Sequence, residues 1–296
     1  MSNESDDYWS LTDAEREYAA LNLNEHEHDR EKNISEMRQW ILENKDLHTR
    51  TDDFYILRFL RGCKFDMKKA KTKFRNYHEL RATVPEWFAN RDPLLPELQE
   101  MFQMGVFLPL RKFDHEGRLV VIIRASVHDP SKHKQSNVFK AGKMILELAS
   151  RYSKEVSLYG VFAIFDLDAV TLGHALQLPP AVIKRAVHSW QSCYPMRTNS
   201  MEFINAPVYV NFVLNVFRKF MTPKMKSRVH VHTRGLKNLH KKISPNILPL
   251  EYGGTDGTVK ELTEYWKTRV ENDREWFIED EKYKMISTDN NSIKPS

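Results

Sequence analysis

The stretch YGVFAIFDLD, residues 159–168, limits the architectures open to this chain more than any other. From Val161 to Phe165 every residue is apolar, and acids appear only at Asp166 and Asp168. A strand with one wet face alternates apolar and polar residues, whereas a continuous apolar run of this length reads as a strand buried on both faces. Its surroundings agree with that. VFLPLRKFD, the turn Glu116-Gly117 and RLVVIIRA read as two strands joined by a tight turn. SNVFKAGKMILELASRYSKEV is a long amphipathic helix, and PPAVIKRAVHSWQSCY is a helix with proline at its start. MEFINAP then reads as a strand, APVYVNFVLNVFRKF as a helix and RVHVH as a short strand. Strands alternating with helices predict an α/β fold with a mixed, mostly parallel sheet between helical layers.

The first hundred residues follow a different period. SLTDAER looks like a helix start, and Ile34, Met37, Ile41 and Leu42 recur at helical spacing. Thr51-Asp52-Asp53 caps FYILRFLRG, which Gly62 is expected to end, and Asp66 caps MKKAKTKFRNYHELRATV, ended near Pro85. KELTEYWKTRVENDREWFIEDE reads as one final helix, with a disordered tail after Lys284. The expected division is an acidic arm over 1–30, a helical domain over 31–100, a sheet domain over 101–256 and a C-terminal helix and tail over 257–296.

Composition narrows the function. Hydrophobic content of 41% and charged content of 29% fit a soluble globular chain, and no apolar run approaches the about 18 residues of a membrane span. Ten glycines argue against glycine-rich phosphate loops, and there is no GxSxG, HExxH, Walker or GxGxxG motif. Cys63 and Cys193 form no CxxC pair, and the polar N-terminus lacks the form of a signal peptide, so a reducing cytosolic setting is expected. His230 and His232 share a strand face, and Asp166-Leu-Asp168 has the form of a DxD at a strand end, with His174 following. Metal binding is one reading of these residues. Exposed histidines and acids capping a strand exit is the other and the favoured one, and no metal or catalytic residue is assigned.

The distribution of charge is more informative than the net +5. Residues 1–31 carry ten acids (Glu4, Asp6, Asp7, Asp13, Glu15, Glu17, Glu25, Glu27, Asp29, Glu31) against Arg16 and Arg30. From Phe203 to Leu250 there is no acid, while Arg218, Lys219, Lys224, Lys226, Arg228, Arg234, Lys237, Lys241 and Lys242 all fall there. On a helical wheel of residues 207–221, Asn211, Asn215, Arg218 and Lys219 share one stripe. Val208, Val210, Phe212, Val213, Leu214, Val216, Phe217, Phe220 and Met221 cover most of the rest. Such a helix is either fully buried or has two apolar duties, one toward a cavity and one toward lipid. Cations beside it favour the second, since each Lys or Arg near an anionic membrane is worth roughly 1 kcal/mol. Lys224 and Arg228, four apart, could grip one phosphorylated headgroup. The window has no nucleic-acid motif, so no nucleic-acid partner is expected.

DDFYILRFLRGCKFDMKKA resembles the helical N-terminal signature of the CRAL-TRIO lipid-transfer family. IFDLDAVTLGHA, YPMRTNSMEFINAPVYVNFVLNVFRKFMTPKMKSRVHVH and ILPLEYGG resemble its lipid-binding domain in order and spacing. The resemblance spans roughly residues 30–270 and is nearest to the branch of α-tocopherol transfer protein, the clavesins and cellular retinaldehyde-binding protein. It implies an apolar cavity floored by the sheet and a mobile gate helix over about residues 206–220. It also implies a basic phosphoinositide site, matched here by Arg197, Lys224 and Arg228, with Lys226 or Lys219 as auxiliary charges. Asn199 stands where that branch has a further Arg, which leaves the headgroup's identity open. The same match gives cavity candidates: Phe139, Gly142, Leu146, Val161, Ala163, Phe165, Trp190, Tyr194, Met196 and Met201, with Phe212, Val213 and Val216 on the gate. Gly142 is expected to open space, and Tyr194 to meet a ligand hydroxyl.

Two functions follow. The first is a cytoplasmic carrier, without cofactor and not an enzyme, that holds one hydrophobic ligand (a tocopherol, a retinoid, another isoprenoid or a phospholipid). It would exchange that ligand during transient association with phosphoinositide-bearing intracellular membranes. The second is a lipid-sensing module that recruits a protein partner, of unknown identity, through the acidic arm.

Overall fold

Thr12 opens the first helix: its hydroxyl accepts the Glu15 amide at 3.2 Å while the Glu15 carboxylate accepts the Thr12 amide at 2.7 Å. The computed structural model describes residues 10–286 except 152, 208 and 233–235. Val208, Arg234 and the tail from 287 therefore lie outside the described residues. The N-terminal part comprises α1 (Asp13–Leu23), α2 (Glu27–Glu43), a two-residue strand β1 (Leu47–His48), α3 (Asp53–Gly62), α4 (Met67–Thr83), α5 (Pro85–Phe88) and α6 (Pro96–Met104). Asp52 and Asp66 cap α3 and α4, accepting the Tyr55 and Lys69 amides at 2.9 and 3.0 Å. Ile34, Met37 and Ile41 pack with Ile56, Phe59 and Phe74 in one core, whereas Leu42 turns away and is 57% exposed.

The described part of the acidic stretch is not a solvated arm. Leu11, Ala19 and Leu23 of the α1 region bury against Leu158, and Glu25 sits at 3% exposure between Arg30 and Arg61. Two of its acids thus have structural work: Glu15 in the cap and Glu25 in a buried ion pair.

Five strands form the main sheet: β2 (Phe107–Pro109), β3 (Leu119–Arg124), β4 (Val161–Asp166), β5 (Thr198–Ile204) and β6 (Val229–Val231), in that spatial order. β2 runs antiparallel to β3, and the other pairings are parallel. Val121, Ala163, Met201 and Val229 lie side by side across four strands. The chain between strands forms α7 (Gln135–Arg151), α8 (Lys154–Tyr159), α9 (Leu172–Leu176), α10 (Pro180–His188) with a π-helical turn Ser189–Cys193, α11 (Val210–Phe220) and α12 (Pro223–Lys226). After β6 come α13 (Lys237–His240), α14 (Val259–Asn272), α15 (Arg274–Asp280) and β7 (Lys284–Met285).

Period-two alternation divides the sheet between two interiors. Val120, Ile122, Phe162, Ile164 and Ile204 pack with α6, α7 and α14 in a dry core. Val121, Ala163, Met201 and Phe203 face the other way, toward α10 and α11. The expected single C-terminal helix is two, because the chain bends at Asp273 (φ −92°, ψ 18°). Beyond it β7 pairs antiparallel with β1, a contact between pieces too short to carry a periodic signal. Gly62 does end α3, but the reversal is made by Lys64 and Phe65, both at φ 55°. The need for glycine at 62 is proximity, since a Cβ there would lie 2.1 Å from the Pro195 carbonyl oxygen.

Candidate functional site

The face of the sheet turned away from the dry core lines a cavity of about 230 Å³. Val161, Ala163, Phe165 and Met201 form its floor. Phe139, Gly142 and Leu146 line it from α7, and Trp190, Tyr194 and Met196 from the π turn and the segment after it. Helix α11 closes it with Val210, Val213, Leu214 and Phe217. The spacing of these four, i, i+3, i+4 and i+7, is the stripe by which the sequence marks the inner face. Of the expected gate residues, Val213 is on that face and Phe212 is not. Phe212 is rotated about 100° from Val213 and is 78% exposed. Val216 is half-buried in the surrounding apolar cluster without lining the cavity. The helix is therefore not fully buried: Val210 and Leu214 are covered, while Asn211, Phe212, Asn215 and Lys219 face outward.

Contacts at both ends hold α11 down. The Tyr209 hydroxyl donates to the Val170 carbonyl, and Asn205, at φ 53°, turns the chain out of β5 while donating to Asp166 at 2.9 Å. At the far end one side chain, Gln191, donates to the Phe220 carbonyl and accepts the Thr222 amide, both at 3.1 Å. Between these ends the Phe217 ring stacks on Trp190 at 6.1 Å.

Two expectations about the lining need correction. Gly142 does not hold space open for a ligand: an added Cβ would lie 2.4 Å from the Phe107 ring, so the missing side chain makes room for that ring. The Tyr194 hydroxyl is already engaged, donating to Glu147 at 2.8 Å, so only its ring serves the cavity. The sequence reading missed the polar members His128, Gln135, Lys143 and His174. His174 accepts the Thr171 amide at 3.1 Å and donates to the His128 carbonyl at 3.0 Å, which makes it a fold contact. Lys143 is 6% exposed and donates to the Ser189 hydroxyl at 2.8 Å; burial pushes its pKa down to about 8.

Outside the cavity, α12 starts at a Thr222 cap and carries Lys224 on an exposed corner. The helix stops at Lys226, so Arg228 is not one helical turn from Lys224 but on the approach to β6, donating to the Thr198 carbonyl at 2.6 Å. The two remain electrostatic neighbours. Partial desolvation, and then the charges of Arg228, Lys64, Lys69 and Arg197, hold the Lys224 ammonium below its usual pKa. Lys64 and Lys69 come from the α3–α4 corner, 155 or more positions earlier in the chain, and the sequence reading missed them. Lys69 is paired with Asp66 at 2.6 Å. Arg197 faces inward, its guanidinium donating to the carbonyls of Arg61, Ser157 and Leu158. It joins the ends of α3 and α8 and presents no free fork to a headgroup. Asn199 donates to the Tyr159 carbonyl at 3.0 Å, and Lys219 and Lys226 are exposed.

The rest of the acid-free window is partly neutralised from outside it. Buried Glu202 accepts from Lys242 and His232, both at 2.7 Å, and His230 lies 4.0 Å away. Burial alone would raise the Glu202 pKa, but these partners and Ser200 hold it below the usual range. Asp166 accepts the Asp168 amide, Asn205 and the Tyr252 hydroxyl. His232 and Asp166 therefore make fold contacts, while Asp168 and His230 lie toward solvent, and no group of three metal-ligating side chains occurs among the described residues.

Residues 103–254 match the CRAL/TRIO domain family, and residues 26–98 match the Pinta-like UBA domain. Human clavesin-2 is 31% identical over 239 residues, which cover 80% of this chain and 73% of clavesin-2. Clavesin-1 of Xenopus laevis is 29% identical over 240 residues, covering 81% and 72%. The crystal structure of Sfh5 superposes with a TM-score of 0.53 over 92% of this chain and 99% of Sfh5, at 15% identity, which is a likeness of fold. A sheet-floored apolar cavity under a helical lid, with more than half of the chain matched, places this protein in the CRAL/TRIO family of lipid-binding and lipid-transfer proteins.

Proposed function

We propose that the protein is a carrier that shelters one hydrophobic molecule in this cavity and exchanges it at anionic, phosphoinositide-bearing membranes by displacement of α11. The observation that carries the reading is the two-sidedness of α11. Val213, Leu214 and Phe217 face the cavity while Phe212 stands 78% exposed on the opposite side. Leu172 and Leu176 on α9 add to that surface at 69% and 74% exposure, and the Tyr209–Val170 hydrogen bond ties the start of α11 to the segment before α9. An apolar rim of this kind has its natural counterpart in the acyl region of a bilayer. Lys224 and Arg228, with Lys64 beside them, supply the cations that draw that rim to anionic lipid. The ligand class is that of the family in its broad sense, with a tocopherol, a retinoid or another isoprenoid fitting the apolar lining. Exchange at the membrane avoids exposing the ligand's apolar surface to water, which costs about 25 cal/mol per Å².

The double variant Lys224→Ala/Arg228→Ala tests the reading. Loss of two interfacial cations at roughly 1 kcal/mol each is expected to slow lipid transfer into vesicles containing phosphatidylinositol bisphosphate by roughly ten- to thirtyfold. Equilibrium affinity for the same lipid should change less than about twofold, because neither side chain lines the cavity. Unchanged transfer would make this corner an ordinary solvated surface.

A further inference from the structure

The cavity lining is mostly apolar, and Lys143 is the one Lys or Arg among the described residues that line it. Lys143 is 6% exposed, and its ammonium sits 4.9 Å from the centre of the Trp87 ring and 4.8 Å from that of Tyr194. Its hydrogen bond is to the Ser189 hydroxyl at 2.8 Å, and no described carboxylate forms an ion pair with it. The nearest acid, Glu147, is one turn along α7, and its oxygens are taken. Oε1 accepts from Tyr77 at 3.0 Å and Tyr194 at 2.8 Å, and Oε2 accepts from Arg91. Arg91 and Arg81 are in turn matched by Glu147 and Asp280. With Arg50 also on Asp280 at 3.3 Å, that network already holds three cations against two acids, so Lys143 is left as a further cation on the wall of an apolar chamber. A buried cation of this kind is stabilised by a counter-ion that also fits the chamber.

We propose that Lys143, which lines the cavity beside Tyr194 and is held from behind the wall by Ser189, is an anion subsite of the cavity, and that the preferred ligand is an acidic amphiphile whose carboxylate pairs with the Lys143 ammonium. This rests on the carrier reading and names the ligand class within it. A neutral alcohol fits the same volume and accepts one hydrogen bond, but leaves the cation unpaired. The groups facing Lys143 are Glu147 on its own helix, Cys193 and Ser189 from the π turn, Arg91 from the segment after α5, and the rings of Trp87, Phe88 and Tyr194. The free ammonium loses its proton near pH 8 because of burial, with Glu147 and Cys193 raising its pKa and Arg91 lowering it. A bound carboxylate raises that value, so affinity for the acid must fall as pH climbs past 8, while affinity for an alcohol stays flat.

The test is titration of the full chain with oleic acid and with oleyl alcohol, each delivered from cyclodextrin, at pH 7 and at pH 9.5. At pH 7 the acid is expected to bind at least tenfold more tightly than the alcohol, and the advantage should shrink at pH 9.5. Lys143→Met should bring the acid down to the level of the alcohol, with alcohol affinity retained as the sign of an intact cavity. Lys143→Arg should keep the preference. Equal binding of acid and alcohol, or equal losses of both in Lys143→Met, overturns the subsite and leaves the carrier reading standing. Binding of neither ligand to the wild-type chain overturns both.

Discussion

Replacing Asp280 by Asn is expected to destabilise the fold by about 3–5 kcal/mol, the range for removing one partner from a buried ion-pair network. Asp280 lies in α15 at 5% exposure and contacts Arg81 at 2.9 Å, Arg91 at 2.8 Å and Arg50 at 3.3 Å. Without its charge, two buried guanidinium groups share the single carboxylate of Glu147. The network joins α4, the segment after α5, α7 and α15, so the loss is felt by the whole chain. Burial would raise the Asp280 pKa, but Arg81, Arg91 and Arg50 hold it well below the usual carboxylate range. The folded-state value being depressed, this contribution is complete above the unfolded carboxylate's pKa near 4 and is lost as pH falls below it. Denaturant unfolding at pH 7 measures the effect. A loss below about 1 kcal/mol would mean that the arginines are satisfied by water instead.

His78 gives the second large effect, at milder acidity. It is fully buried, with Nδ1 donating to the Phe74 carbonyl at 2.8 Å and its ring stacked on Phe74 at 4.4 Å. Burial pushes its pKa down to about 3. The unfolded chain takes up a proton near pH 6.5 and the folded chain does not. Stability is therefore full above about 6.5 and declines as pH falls toward 3, at about 1.4 kcal/mol per unit. Between pH 7.5 and 4.5 the wild type should lose about 2–3 kcal/mol from this residue, before most carboxylates titrate. His78→Gln, whatever its stability at pH 7.5, should show a flatter profile across that window. Parallel profiles for the two proteins would assign the acid sensitivity elsewhere.

The α/β architecture was legible because its signals are local. VFAIF could only be a doubly buried strand, Asp52 and Asp66 announced their helices, and the altered period near residue 100 marked the start of the sheet. The inner lining was largely legible too, through alternate strand residues such as Val161, Ala163 and Phe165. What escaped were features made by distant parts of the chain. Lys64 and Lys69 reach the corner of Lys224 only because α3 and α4 turn there. Arg197 looked like a headgroup ligand by position, yet three backbone carbonyls take its guanidinium. Gly142 looked like open space until Phe107, 35 positions earlier, filled it. Phe212 and Val213 are adjacent in sequence and point to different media, which a stripe anchored on Val210 and Phe217 separates and a count of apolar residues does not. Lys143 was hidden for a similar reason: one cation in an amphipathic helix reads as solvent-facing until the neighbouring Trp87 and Tyr194 rings enclose it.

The central claim is that the cavity under α11 holds one lipid. The most direct measurement is to incubate the purified chain with a mixed cellular lipid extract, re-isolate it, extract it with organic solvent and identify the contents by mass spectrometry. One lipid class at about one molecule per chain is the result expected, and an acidic amphiphile would also support the subsite at Lys143. A blank extract after that incubation would contradict the claim.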